Sequence, residues 1–238
     1  MDHMCKSVRL HTKMIRVEAH KIAYMALPKA ACSSVKKALA MIDPAVDVES
    51  LPETKYEYDK WHSVYPTQKF RTYRWQRNIE KDWFGFAVVR DPVKRLMACY
   101  TNRVVERGEL KNSRNLKNGT YNLPVEPDPD FFFQNIDTYR KAASSIKHHA
   151  MHTWLFTGPD LSVFTKVYTT EKMADLVRDV QDWTNAPFEI GRENTSSMRL
   201  TLDDLKPETV KALTPWLCLE YGFLINHYSK RPAQLQAF

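Results

Sequence analysis

Lys29, Ser33 and Ser34 stand within six residues of one another, and Arg90 and His62 are the other side chains whose types suggest chemistry. Lysine and arginine bring full positive charge, serine hydroxyls donate hydrogen bonds, and a neutral imidazole can take a proton near working pH. The lysine, the arginine and the serines suit an anionic ligand with two charged ends. The stretch around Lys29 reads PKAACSS, in which Ala30, Ala31 and Cys32 keep the side chains small enough for a backbone to approach a ligand closely. The nucleotide loop GxxxxGK[ST] is absent, so this is not an ordinary ATP or GTP loop.

Two strand-to-helix junctions must position these groups. Ile22, Tyr24, Met25, Ala26 and Leu27 form an apolar run of strand length that Pro28 closes, and Val35, Leu39 and Ile42 then repeat at helical spacing. The first free amides of that helix, at the positive end of its dipole, would face a phosphate or sulfate. Phe84 to Val89 repeats the pattern: after Arg90, Asp91 is the expected N-cap and Pro92 the first helical residue, with Val93, Leu96, Met97, Tyr100 and Val104 on one face. Arg90 thus falls at the carboxyl end of a strand, where open α/β sheets bind their ligands.

PKAACSS followed by VVRDPVKRLMACY resembles the paired cofactor motifs of the carbohydrate-modifying sulfotransferases, sulfotransferase family 2. The likeness continues in KHHAMHTWLF, in VYTTEKMADL and in ENTSSMRLTLDDLKPETVKALTPWLCLEYGFL, so it spans residues 21–225. It implies a P-loop-like three-layer α/β fold, a central and mostly parallel sheet flanked by helices, in one domain over residues 1–238. It further implies that Lys29, Ala30, Ala31, Cys32, Ser33 and Ser34 grip the 5′-phosphosulfate of 3′-phosphoadenosine 5′-phosphosulfate (PAPS), and that Arg90 grips its 3′-phosphate. The loop GRENTSSMR, residues 191–199, corresponds to the segment that closes over the cofactor, which makes Asn194, Ser196 and Arg199 expected contacts. Ala98 departs from the pattern: the family usually places there a serine that shares the 3′-phosphate, and a methyl group cannot donate that bond.

The resemblance also assigns a base to the region between the motifs, commonly His or Glu. His62, between Trp61 and Tyr65, is the first choice, with Glu53, Glu57 and Asp59 in reserve. On this reading His62 takes the proton of an acceptor hydroxyl, carried by a glycan or glycolipid, while Lys29 and the helix-start amides receive the charge that develops on the bridging oxygen. No metal is required. The rivals are a kinase with an atypical loop, which would need Mg²⁺ and a carboxylate to hold it, and a nucleotide- or glycan-binding module on the same scaffold.

A chain of 238 residues suits one α/β domain, and 43% hydrophobic with 26% charged residues is ordinary globular composition. The net charge of +7 favours anionic partners. No run of five like charges, zinc-finger spacing or ribonucleoprotein motif occurs, which argues against nucleic acid. The cysteines at 5, 32, 99 and 218 form no CxxC pair, so free thiols in a reducing compartment fit, with Cys32 a small packing residue. Residues 1–20 lack the apolar core of a signal peptide, and no apolar run reaches membrane-spanning length. They are read as an N-terminal extension and the protein as cytoplasmic; a Golgi lumenal location would follow only for a fragment parted from its anchor.

Pro44, Pro52 and Pro66 interrupt residues 43–81, and residues 107–130 read as a long loop on the acceptor side, in which Arg107, Lys111, Arg114 and Lys117 could meet an acidic substrate. Asp130 is the expected cap of a helix beginning FFFQNI. His148 and His152 have metal-ligand spacing, but no HExxH glutamate or third ligand accompanies them. Thr165 to Thr169 reads as a short strand, and Met173, Leu176, Val177, Val180 and Trp183 mark the helix after it.

Overall fold

The computed structural model describes residues 14–67, 81–191 and 198–236. Among the described residues four strands form one sheet in the order β1 (Ile15–Val17), β2 (Ile22–Met25), β3 (Phe84–Val89) and β4 (Lys166–Thr169). β1 runs antiparallel to β2, with Arg16 opposite Ala23; β2 and β3 are parallel, with Tyr24 opposite Phe86; β3 and β4 are parallel, with Val88 opposite Tyr168. The expected α/β architecture with a mostly parallel sheet is therefore present. Its edge strand β1 lies inside the segment 1–20 that reads as an extension.

Parallel neighbours need crossovers, and helices supply them. Between β2 and β3 come α1 (Cys32–Ile42) and α2 (Glu57–Val64), the latter fitting between Pro52 and Pro66. Between β3 and β4 come α3 (Pro92–Cys99), which runs on into a π-helical turn over Tyr100–Glu106, and then α4 (Arg114–Lys117), α5 (Pro129–Gln134), α6 (Ile136–Ala142), α7 (Ser144–His149) and α8 (Trp154–Thr157). α9 (Met173–Thr184) and α10 (Pro207–Phe223) complete the chain. Among the described residues no helix is long and apolar enough to cross a membrane.

All six residues of β3 are buried, as a central parallel strand requires. One face of the sheet, with Ile22, Tyr24, Phe84, Phe86, Val88 and Tyr168, packs under Val35 and Leu39 of α1, Trp61 of α2, and Leu176 and Val180 of α9. Tyr24 stacks on Phe86 at 4.9 Å between ring centroids. Each such large side chain contributes about 1.5–3 kcal/mol of burial. At the carboxyl ends of β2 and β3, Leu27 and Val89 meet Met151, Phe156 and Leu224 in a separate apolar cluster, the floor beneath the site. A third cluster gathers α3, α5, α6, α7 and α10 around Tyr100, Phe132, Phe133 and Tyr139.

Two local expectations change. The cap of α5 is Asp128, which accepts from the amide of Phe131 at 2.9 Å; Pro129 is the first helical residue, so the residue before it takes the cap. Asp130 instead accepts from Thr209 Oγ1 at 2.6 Å and from the amide of Lys206 at 2.9 Å, tying α5 to the start of α10. Residues 107–130 are not one long loop. They contain a 3₁₀ turn, Glu109–Asn112, and α4, with Leu110 and Leu116 buried and Tyr121, Leu123 and Val125 packed against the helical cluster.

Candidate active site

The turn from β2 into α1 places Lys29 and Ala31 in the left-handed region, at φ 65° and 58°. That conformation is uncommon for residues other than glycine and costs of order 1–3 kcal/mol each. Ala31 occupies the N-cap of α1 and has no side chain to cap the first amides, which leaves that helix end suited to an anion. Ala30 is buried in the floor cluster, Cys32 and Ser34 are buried in the first turn, and Ser33 is partly exposed.

Asp91 caps α3, accepting from the amide of Lys94 at 2.9 Å, with Pro92 at the first helical position. Its other oxygen accepts from the hydroxyl of Tyr221 in α10 at 2.6 Å, which fixes the junction from behind. Arg90 turns toward the first loop and donates from Nη1 to the carbonyl of Lys29 at 3.0 Å. Two segments 61 residues apart in sequence thus meet in one crevice at the carboxyl ends of adjacent parallel strands.

Positive charge in this crevice is desolvated. Burial, and then the nearby Arg103, push Lys29 down to about 7, against the weaker opposing pull of Cys99, Cys32 and Glu109. Lys29 Nζ donates to the side-chain oxygen of Asn102, presented by the π-helical turn, and Asn102 Nδ2 donates to Glu106 at 2.7 Å. Burial also draws Arg90 below the usual arginine value, partly offset by Glu171, Tyr228 and Asp91. Cations held in this way gain when an anion arrives.

His62, on α2, reaches the start of α1: Nε2 lies 3.0 Å from Ser33 Oγ, and Nδ1 lies 3.0 Å from Lys36 Nζ. Burial, then Lys36, Arg103, His148 and Lys29 in turn, push its pKa down to about 3, so the ring is neutral at physiological pH. Lys36 is 0% exposed and also donates to Thr67 Oγ1 at 2.5 Å. Of the reserve carboxylates, Asp59 pairs with Arg107 at 3.0 Å and Glu57 with Lys37 at 2.8 Å, while Glu53 is exposed.

A model of the sulfotransferase family matches residues 12–213. The chain belongs to the sulfotransferase family. Among solved structures it is similar to a sulfotransferase from Alicyclobacillus acidocaldarius, with 15% identity, 75% of this chain and 61% of that chain covered, and a TM-score of 0.24. No curated protein matches it.

Within this sulfotransferase-family chain, the segment from Lys29 to Ser34 is joined to Arg90 through the carbonyl of Lys29 and to His62 through Ser33, with Ala30, Cys32 and Ser34 themselves buried. Arg199 is exposed, and Asn194 and Ser196 lie outside the described residues. Ala98 sits partly buried on α3. The histidine pair belongs to different pieces: His148 is on α7 against Phe156, whereas His152 lies beyond that helix, stacked between Trp154 and Trp216 with Nδ1 3.0 Å from Glu220.

Three further residues matter that sequence reasoning missed. Lys36 is one, and its position four residues from both Cys32 and Ala40 on a buried stripe was the available signal. Asn102 is another, presented by a π turn that no local pattern announces. Arg95 is the third. The second arginine of the RDPVKR stretch turns inward, 1% exposed, to pair with Glu220 at 3.0 Å and donate to the carbonyl of Met151 at 2.6 Å.

Proposed function

We propose that the protein transfers a sulfuryl group from PAPS to a hydroxyl of a carbohydrate or glycolipid acceptor. The observation that carries this reading is the bond from Arg90 to the carbonyl of Lys29, which joins the two motifs into one cationic crevice matched to a ligand with two anionic ends. The uncapped start of α1 and the desolvated lysine fit a phosphosulfate, and Arg90 fits a second phosphate. When bound, PAPS supplies an activated sulfuryl group on a phosphate leaving group.

Lys29 and the first amides of α1, with Ser33 and Ser34, would hold the phosphosulfate and neutralise charge developing on its bridging oxygen. Arg90 would fix the opposite end and so orient the donor. Ala98 supplies no hydroxyl toward the 3′-phosphate, which places that task on Arg90 and the backbone. His62, whose Nε2 lies 3.0 Å from Ser33 Oγ, would take the acceptor proton.

For the acceptor, a depression of about 470 Å³ is lined by Lys55, Tyr56, Arg107, Glu109, Asn112 and Ser144. It draws on residues 43–81 and on residues 107–130, the latter read from the sequence as lying on the acceptor side. Arg107 and Lys111 are engaged by carboxylates of the chain, Asp59 and Glu126, and Arg107 stacks over Tyr56 at 4.7 Å, so the depression offers a sugar an aromatic edge and hydrogen bonds more than free charge.

Radioactive sulfate transfer from PAPS to a panel of glycans and glycolipids is the direct test, with calorimetry of 3′-phosphoadenosine 5′-phosphate binding in chelator beside it. Labelled acceptor and metal-independent binding are expected. Binding that disappears with chelator and returns with Mg²⁺ would instead point to a kinase.

A further inference from the structure

A fully buried lysine bonded only to neutral groups is costly, because its ammonium loses hydration without a counter-ion to replace it. Lys36 is such a residue: its bonds within the described residues go to His62 Nδ1 and Thr67 Oγ1. A methionine would fill the same space between α1 and α2 without that cost. Its amine also touches the one ring nitrogen of His62 that does not face Ser33.

The contact decides what His62 can do. While Lys36 is an ammonium it donates to Nδ1, the ring proton must then sit on Nε2, and Nε2 donates to Ser33 Oγ; no lone pair faces the crevice. Once Lys36 is a neutral amine the pattern reverses. Nδ1–H donates to Nζ, and Nε2 presents its lone pair toward Ser33, where an acceptor hydroxyl would enter.

We propose that His62 and Lys36 act as one base, His62 taking the acceptor proton at Nε2 while passing its Nδ1 proton to the amine of Lys36. The inference rests on the sulfuryl-transfer reading. As the acceptor oxygen bonds to sulfur, the bond from sulfur to the phosphate oxygen breaks and its electron pair leaves with the 3′,5′-bisphosphate. The acceptor proton ends on Nε2, the former Nδ1 proton ends on Nζ, and the ammonium of Lys36 later returns it to water.

The surroundings explain why the imidazole does not keep the proton. Lys29 from the first loop, Arg103 from the π turn, His148 from α7, and Lys36 and Cys32 from α1 act on the pair, and Arg103 is itself paired with Glu109 at 2.6 Å. Burial followed by these charges holds His62 at about 3, whereas Lys36, lowered by burial against the opposing effect of Cys32, stays at about 8. The couple therefore binds the transferred proton with the affinity of the amine. Lys36 acts through His62 and positions its proton.

The test is nitrogen NMR of histidine-labelled protein, which reads the tautomer of His62 without donor or acceptor. In the parent, His62 should pass from the Nε2–H to the Nδ1–H form with a midpoint near pH 8, and in Lys36→Met the change should vanish. A single tautomer from pH 6 to 9.5, or a change that survives Lys36→Met, would overturn the couple. Should Lys36→Met fail to fold, the parent decides alone: its turnover must rise with pH about the same midpoint as the tautomer, and a mismatch overturns the proposal. In active protein, Lys36→Arg, which keeps the charge but cannot accept a proton, should lower turnover by roughly 10²–10⁴ and leave bisphosphate binding intact; full activity in Lys36→Arg would mean that charge alone is needed. If no acceptor is sulfated at all, the transfer reading fails while the tautomer titration still judges the couple.

Discussion

Lys29 and His62 lie within range of each other's charge, yet their assigned tasks differ, so their removal should differ too. On the proposed reading, Lys29→Ala deletes a cation that would meet the donor in the ground state and more strongly as the bridging oxygen becomes anionic. Both bisphosphate affinity, by calorimetry, and turnover, by sulfate transfer, are expected to fall. His62→Ala is expected to spare the affinity and to lower turnover by roughly 10²–10⁴, the size of a general-base contribution. Turnover within about threefold of the parent, under ~1 kcal/mol of barrier, would move the base elsewhere. At this scale the positions of Lys29, Ser33 and Arg90 at strand-to-helix junctions were legible in the sequence, because each junction is set by neighbouring residues. For Lys36 the sequence offered only its place on the buried stripe of α1; its contact with His62 depends on burial against a different helix.

The elements show the same division. The strand-to-helix junctions and the Asp91 cap were legible because each is set by neighbours in sequence, an apolar run, a cap residue and a proline. The helix after residue 127 was legible but its cap was misplaced by two residues, since Pro129 makes Asp128 the cap and frees Asp130 to bind α10. The inward turn of Arg95 was not legible, because it depends on α10, which arrives more than a hundred residues later. Glu220, 0% exposed, accepts from Arg95, from Thr153 Oγ1 at 2.6 Å and from the Thr153 amide at 2.9 Å. Burial alone would raise its pKa; Arg95, His152 and Thr153 outweigh burial and hold the carboxyl below the usual range. Glu220→Ala would strand the Arg95 guanidinium, whose Nε and Nη1 already lack partners. Urea unfolding should show a loss of about 3–5 kcal/mol, the usual cost of breaking a buried pair, and bisphosphate affinity should weaken because α3 carries Arg90 at its start.

Across the whole molecule, the desolvated lysines should leave a mark on stability. An unfolded chain keeps both lysines protonated up to about 10.5, whereas the folded protein releases these protons at about 7 for Lys29 and about 8 for Lys36. The unfolded state therefore binds more protons in that window, and stability must rise with pH there. Urea midpoints of the ligand-free protein are expected to increase between pH 7 and 8.5. Bound bisphosphate would restore the charge on Lys29 alone, so the part of the increase that Lys29 contributes should shrink in its presence. A ligand-free midpoint that is level or falls across this range would mean that the crevice is better hydrated than its geometry implies.

The left-handed backbone at Lys29 and Ala31 has a consequence for the entropy of binding. Glycine would adopt these dihedrals with less steric cost, but it would leave an empty loop free to visit many other shapes. With side chains at both positions, the conformational freedom of the loop is surrendered when the chain folds and is not surrendered again when a ligand arrives. On the proposed reading the loop would meet successive donor molecules with one shape, and their affinity would be set by charge and desolvation with little deducted for ordering the chain.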